Sequence, residues 1–388
     1  MTDEQNDKPQ KSAFKDYLSP ELVTGIGAAF AAASPTFDRA AFENLALSGL
    51  ADLELKARSA QIAAALAATL PASGDDKDNA QDAEGAADVV RRVLRAGGQD
   101  GTATALPEWA GMPVNDYVAV AMADRPDVAL PLLADLTSHH TAEFAIRPFI
   151  LNHYETTMAH LRTWVDSPDE HVRRLVSEGT RPRLPWAGRL PRFIADPSDA
   201  LELLEGLVND GSLYVRRSVA NHLNDIAKDH PELALETARR WAEASTQGDF
   251  VVRHSLRTLI KRGDPRALAI LGFDPDAPVE LLELSCSPST IAIGEATTLS
   301  FTLRADAATA PTRAAVDYVV HYQGARGPKA GKVFKLTVRD LPPGQAVQFS
   351  RRHAFAHVSI RTIHPGPHRI EVQVNGRVLG GTTVHVHP

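Results

Sequence analysis

Between Ser177 and Asp225 the chain gathers side chains that can do chemistry together. The stretch opens with Ser177-Glu178-Gly179-Thr180-Arg181-Pro182-Arg183-Leu184-Pro185-Trp186. It closes with Val215-Arg216-Arg217-Ser218-Val219-Ala220-Asn221-His222-Leu223-Asn224-Asp225. Carboxylates fixed in a dry groove can stabilise a developing cation and orient an attacking water. A Trp on a Pro-punctuated turn offers a flat π surface to a sugar or a base, and arginines can meet phosphates. A third acid, Glu143, sits in Glu143-Phe144-Ala145-Ile146-Arg147-Pro148, which echoes Glu178-Gly179-Thr180-Arg181-Pro182. No serine-hydrolase, phosphate-loop, dinucleotide or zinc spacing competes with these strings elsewhere.

The elements that must position these residues are helices in repeat. Apolar residues recur with helical spacing from Leu18 to about Leu70, and again from Val89 to about Leu271. Within the second span, Val172-Arg173-Arg174 recurs as Val215-Arg216-Arg217 and more weakly as Val252-Arg253-His254. The valine steps are 43 and 37 residues, and an acidic turn precedes each of the first two copies. A period near 40 is the mark of HEAT-type helical pairs. Such pairs bury their apolar faces only by stacking, which creates one concave surface. Aligning the first two copies places Glu178 and Asn221 at one offset, with Asp225 a helical turn beyond Asn221.

From Val279 the period changes to two. Seven short runs follow: Leu281–Cys286, Thr297–Arg304, Val316–Tyr322, Lys332–Val338, Ala346–Arg352, His368–Val374 and Val378–His385. Turn residues separate them, Asn375-Gly376 among them. This pattern predicts an immunoglobulin-like sandwich lacking the cysteine pair. The expected fold is therefore mainly α, a HEAT-like solenoid over residues 15–278, followed by a small all-β domain over 279–388. Residues 1–14 read as a disordered tail, and 73–88 as an acidic, mobile loop between helices.

Net charge is -7, which alone argues against a nucleic-acid binder. Its distribution matters more. Residues 1–140 hold 11 Lys+Arg against 21 Asp+Glu, and residues 281–388 hold 12 against 6. A chain so divided can still present a positive face. One cysteine, Cys286, excludes an internal disulfide and points to a reducing, cytoplasmic setting. No run approaches the roughly 18 apolar residues of a membrane span. The histidines at 139, 140, 153 and 160 lack partners at metal-ligand spacing, so no metal is expected.

Two readings of the charged residues stand side by side. In one, the acids are locally paired: Glu178 with Arg181, Glu143 with Arg147, Asp225 with Lys228. The repeat arginines then bind the acidic turn of the neighbouring repeat, and the molecule is a non-catalytic scaffold. In the other, the arginines form a row of cations for a polyanion, and the acids serve catalysis.

The strings around Glu143, Glu178 and Val215–Asp225 resemble the AlkC branch of the AlkC/AlkD alkylpurine DNA glycosylases, and the likeness extends over most of the chain. The resemblance implies excision of cationic N-alkylated bases such as 3-methyladenine without a cofactor. The partner is then double-stranded DNA with alkylated bases, acted on by a monomer. It gives functional roles to Glu143, Glu178, Trp186 and Asp225. Phosphate contacts are expected from Arg173, Arg216, Arg217 and Arg253 of the repeats. Others are expected from Arg147, Arg181 and Arg183 of the Arg-Pro strings, and from Lys329 and Lys332 near turns of the β segment.

Overall fold

The computed structural model describes residues 13–70, 79–96, 106–244, 248–308, 310–358 and 361–388. Two compact units result, residues 1–222 and 223–388.

The first unit is built of helices. Ser19 caps the helix Pro20–Ala33 by accepting from the Leu22 amide at 3.3 Å, and a proline at its start supplies the required backbone angle. Leu22, Val23, Ile26 and Phe30 form its buried stripe. Further along, Asp169 caps the helix Glu170–Gly179, whose inward face carries Val172, Leu175, Val176 and Glu178. The helix Leu213–Ile226 repeats this arrangement, with Val215, Val219 and Ala220 buried.

The acidic segment differs from its expected loop. Residues 79–88 lie in the helix Asn79–Ala96. The reason is visible in the spacing: Ala83, Ala86, Ala87, Val90, Val93 and Leu94 fall on one face and are buried. The exposed Glu84 and Asp88 occupy the opposite face, so the acids mark a solvated side and not a break. The remaining part of that expectation, residues 73–78, lies outside the described residues, as does most of the tail.

The second unit joins helices to a sandwich. The helices Pro231–Ala244, Gly248–Ser255, Arg257–Arg262 and Pro265–Ile270 precede strands β1 (Val279–Ser287), β2 (Thr290–Ala292), β3 (Ala296–Ala305) and β4 (Thr312–His321). Short strands β5 (Gln323–Gly324) and β6 (Gly327–Pro328) pair with each other. Strands β7 (Lys332–Leu341), β8 (Ala346–Ala354), β9 (Gly366–Val374) and β10 (Arg377–His387) complete the set. One sheet has the order β1-β3-β8 and the other β2-β10-β9-β4-β7. All seven alternating runs correspond to strands. The β9–β10 hairpin turns on Asn375 and Gly376, at φ 50° and 83°, the left-handed pair that a tight two-residue turn requires. Leu299, Phe301, Val316, Val320, Ile370 and Val384 fill the core between the sheets.

The segment between helix and sandwich is not a loose tether. Phe273 is buried, Asn375 donates to the Asp274 carbonyl at 2.7 Å, and Arg377 donates to the Ala277 carbonyl at 2.9 Å. The helix Arg257–Arg262 packs on β7. The compact unit therefore begins at Leu223, well before β1.

Candidate active site

Arg174 is the hub of the candidate site. It projects from the helix Glu170–Gly179 toward the turn at residues 143–146. There its Nη1 donates to Thr141 Oγ1 at 2.7 Å and to the Glu143 carboxylate. Its Nη2 lies 3.5 Å from Glu178 Oε1. One guanidinium thus joins two acids from separate segments. Its plane stands over the Tyr214 ring at 5.0 Å. Burial raises the Tyr214 hydroxyl; the Arg174 charge opposes that rise, while Glu143 and Glu178 add to it.

Both acids are buried but differently satisfied. Glu178 is 5 % exposed. Its Oε1 accepts from Arg181 at 2.6 Å and its Oε2 from Ser218 at 2.6 Å. Ser218 in turn accepts from Ser177 at 2.7 Å. This chain of hydroxyls crosses from one repeat helix to the next and fixes the carboxylate's orientation. Glu143 accepts from Thr141 and Arg174 on Oε2 alone. Among the described residues nothing donates to its Oε1, and its side chain keeps 12 % of its exposure. His222, fully buried, donates from Nδ1 to the Ser177 carbonyl at 2.9 Å and so braces the same helix end. Gly179 is required here: a Cβ would meet Ile146 Cγ2 at 2.6 Å. Only glycine lets the end of this helix approach the turn that bears Glu143.

Trp186 lies on a neighbouring surface. Its backbone is left-handed at φ 65°, its ring is 65 % exposed, and its carbonyl accepts from Lys56. With Lys56, Asp116, Phe144, Arg147 and Arg189 it lines a cavity of about 330 Å³. Phe14 meets the Trp186 ring edge-on at 6.1 Å, and Tyr17 stacks on Trp109 at 4.5 Å beside it. Glu143 and Glu178 do not line this cavity, although Phe144 does. Asp225 belongs to the second unit, where it is fully buried and paired with Lys228 at 2.6 Å.

Several arginines expected at phosphates are committed to the protein instead. Arg147 is 4 % exposed and gives its guanidinium to the carbonyls of Gly179, Arg181 and Gly188, at 2.8, 2.8 and 2.6 Å. It clamps the loop that carries Trp186. Arg181 is buried on Glu178. Arg173 grips Asp210 of the next repeat with two bonds at 2.6 and 3.0 Å and donates to the Ser167 carbonyl of its own turn. Arg216 does the equivalent one repeat later, on the carbonyls of Asp210 and Gly211. Arg147 and Arg181 are buried, whereas Arg173 and Arg216 are only half-buried and Arg216 Nε has no hydrogen-bond partner among the described residues. Arg183 is half-buried, while Arg217, Arg253, Lys329 and Lys332 are exposed.

The local-pairing reading thus holds for Glu178 with Arg181 and for Asp225 with Lys228. Glu143 pairs with Arg174, not Arg147. Sequence reasoning passed over Arg174, Ser218 and Tyr214. The signal for Arg174 was its place one helical turn before Glu178. Among the described residues no cluster of acids, histidines and cysteine could hold a metal, and no helix is long and apolar enough to cross a membrane.

Comparison with known proteins adds three findings. Residues 135–256 match the model of the DNA alkylation repair enzyme family, and residues 280–388 match that of the YhaZ C-terminal Ig-like domain. The chain is 34 % identical to the uncharacterized protein YhaZ of Bacillus subtilis (strain 168), over 94 % of this chain and 96 % of that one. It is similar to the solved structure of the Pseudomonas fluorescens alkylpurine DNA glycosylase AlkC, bound to DNA containing an abasic-site analog. That likeness has a TM-score of 0.78 and 35 % identity, and covers 98 % of this chain and all of that one.

Proposed function

The chain belongs to the AlkC-type family of DNA alkylation repair glycosylases, and from that membership we propose that it excises cationic N-alkylated bases, such as 3-methyladenine, from double-stranded DNA. One observation carries the reading: two carboxylates, Glu143 and Glu178, are joined by Arg174, and one of them retains an unengaged oxygen.

The chemistry suits that arrangement. Alkylation at N3 places a positive charge on the base, which then leaves as a neutral molecule. Little acid catalysis is needed. Positive charge develops instead on the deoxyribose as the glycosidic bond breaks. Glu178, held on both oxygens, is a fixed negative group that needs no reorganisation when that cation forms. Glu143, with Oε1 open, orients the water that attacks the anomeric carbon and takes its proton. Trp186 sets an aromatic face against the sugar, a cation–π contact of about 1–2 kcal/mol when desolvated. Arg217 and the exposed cations of the β segment serve the phosphates.

A second reading draws on charge balance. Glu143 and Glu178 are matched by Arg174 and Arg181, and Asp225 by Lys228. A neutral network favours a protein that binds DNA without cutting it. Purified protein incubated with methylated duplex separates the two. The glycosylase reading expects release of 3-methyladenine above the spontaneous rate, undiminished by EDTA. Release no faster than in buffer alone leaves the binding reading.

A further inference from the structure

Trp186 stands where the backbone does not favour a tryptophan. The turn at residues 184–187 is closed by the Ala187 amide, which donates to the Leu184 carbonyl at 3.2 Å. Pro185 takes its second place and Trp186 its third. Proline suits the second place, but a left-handed third residue is ordinarily glycine or asparagine. Trp186 adopts φ 65° there, and among the described residues Asn375 is the one other non-glycine with positive φ. A Cβ makes that conformation unfavourable, so it persists only where neighbours hold it.

Two cations hold it. Arg147 grips the far side of the loop through the Gly188 carbonyl at 2.6 Å, and Lys56 donates to the Trp186 carbonyl itself. Lys56 belongs to the first turn of the helix Leu55–Thr69, 130 residues away in sequence. Its ammonium lies 5.6 Å from the centre of the Phe144 ring, and its charge acts on the Asp116 carboxyl. Burial pushes that carboxyl up, while the Ser59 hydroxyl and then Lys56 oppose the rise. Phe144 directly follows Glu143. One ammonium therefore ties the backbone of Trp186 to the turn that carries Glu143. The indole is 65 % exposed and meets Phe14 edge-on, so its direction is set chiefly by its backbone.

We propose that Lys56 is the positioning residue of Trp186, holding the 186 carbonyl beside the Glu143 turn so that the indole keeps the pose in which its face meets the deoxyribose. The proposal rests on the excision reading above and extends the working site to the helix Leu55–Thr69. Lys56 then acts on the rate through Trp186 and not on its own.

The test is a double-mutant cycle on single-turnover release of 3-methyladenine at saturating duplex, with duplex affinity measured on the same proteins and circular dichroism checking the fold. Lys56→Met keeps the stem and removes the donor. Its rate should fall roughly five- to thirtyfold, the factor that a desolvated aromatic–cation contact supplies, while affinity stays within a few-fold. Lys56→Arg, which still donates, should restore most of the rate. In a Trp186→Ala background Lys56→Met should cost nothing further. An equal fall in that background makes Lys56 independent of Trp186 and overturns the proposal. A loss of affinity and salt slope with an unchanged saturated rate also overturns it, since Lys56 is then a phosphate contact. Fluorine resonances of 5-fluorotryptophan protein read the same claim without catalysis. The Trp186 line, assigned by its absence in Trp186→Phe, should shift or broaden in Lys56→Met. It should not move in Arg39→Ala, which removes a surface cation paired with Glu43. A Trp186 line unchanged by Lys56→Met overturns the proposal whether or not the protein excises. A line that moves in a protein releasing no base leaves Lys56 holding Trp186 and removes only the excision reading.

Discussion

At the scale of residues, the arginines divide by what their donors already hold. Arg147 spends its guanidinium on three carbonyls of the Gly179–Gly188 loop. Arg147→Ala leaves the buried Gly179 and Arg181 carbonyls without this donor, and loss of bonds to a charged group costs about 1.5–3 kcal/mol each at most. The expected outcome is a stability loss of roughly 3 kcal/mol or more in chemical denaturation, with an unchanged salt slope for DNA binding in the protein that remains folded. Arg217→Ala should do the reverse, leaving the denaturation midpoint in place and lowering the slope by roughly one phosphate contact. Arg174→Ala removes the cation paired with the buried Glu143, while Glu178 keeps Arg181 and Ser218; breaking one partner of a buried pair costs about 3–5 kcal/mol. This hub was hard to read from sequence. Val172-Arg173-Arg174 offers two arginines of equal chemistry, and Arg174's partner Glu143 lies 31 residues away. Only the meeting of two repeats reveals that the first arginine serves the turn and the second the acids. Glu178, by contrast, announced itself through its string, and so did its pairing with Arg181 three residues on.

At the scale of elements, the strands were more legible than the first helices. Alternation with period two exposes a half-buried strand directly, and Asn375-Gly376 marks its hairpin. The helix Asn79–Ala96 was obscured because its apolar face is alanine and its acids are dense, so composition suggested a loop while spacing specified a helix. One element carries a pH dependence. His353 on β8 lies between the hydroxyls of Tyr318 and Tyr322, at 3.0 and 2.9 Å. Burial, then the nearby Arg361 charge, lowers its ring from 6.5 to about 4. The folded state thus keeps a neutral imidazole that the unfolded chain would protonate. Stability is full above pH 6.5, is lost as pH falls toward 4, and levels off below. The difference amounts to about 3 kcal/mol. Histidine carbon-bound proton resonances should show one ring titrating near 4, and thermal unfolding of the sandwich should shift downward between pH 6.5 and 4.5. A His353 midpoint at 6.5 contradicts the assignment. A second element-level test concerns Gly179. Gly179→Ala forces a methyl onto Ile146 Cγ2 at 2.6 Å, and overpacking of this kind costs about 1–3 kcal/mol. Because it parts the Glu143 turn from the Glu178 helix, excision should fall further than stability does.

At the scale of the whole molecule, the sandwich is part of a larger body that starts at Leu223. Cutting the chain at residue 279 would bare Ile260, Leu268 and Phe273 and remove the partners of the Asp274 and Ala277 carbonyls. Residues 1–279 should therefore retain helical circular dichroism but lose protection of the helices after residue 230 in hydrogen exchange. A truncated chain with full protection there would make the sandwich an independent appendage. For excision to occur here, the Glu143–Arg174–Glu178 network must perform chemistry and be more than a brace. Single-turnover release of 3-methyladenine tests it most directly, with wild type, Glu178→Gln and Glu143→Gln compared and duplex affinity measured on the same samples. A preorganised charge contributes about 3–4 kcal/mol, so each variant should lose roughly 10²–10³ in rate while its affinity stays within a few-fold. Variants that bind weakly yet release base at the wild-type rate once saturated would contradict the claim and leave both acids as structural partners of their arginines.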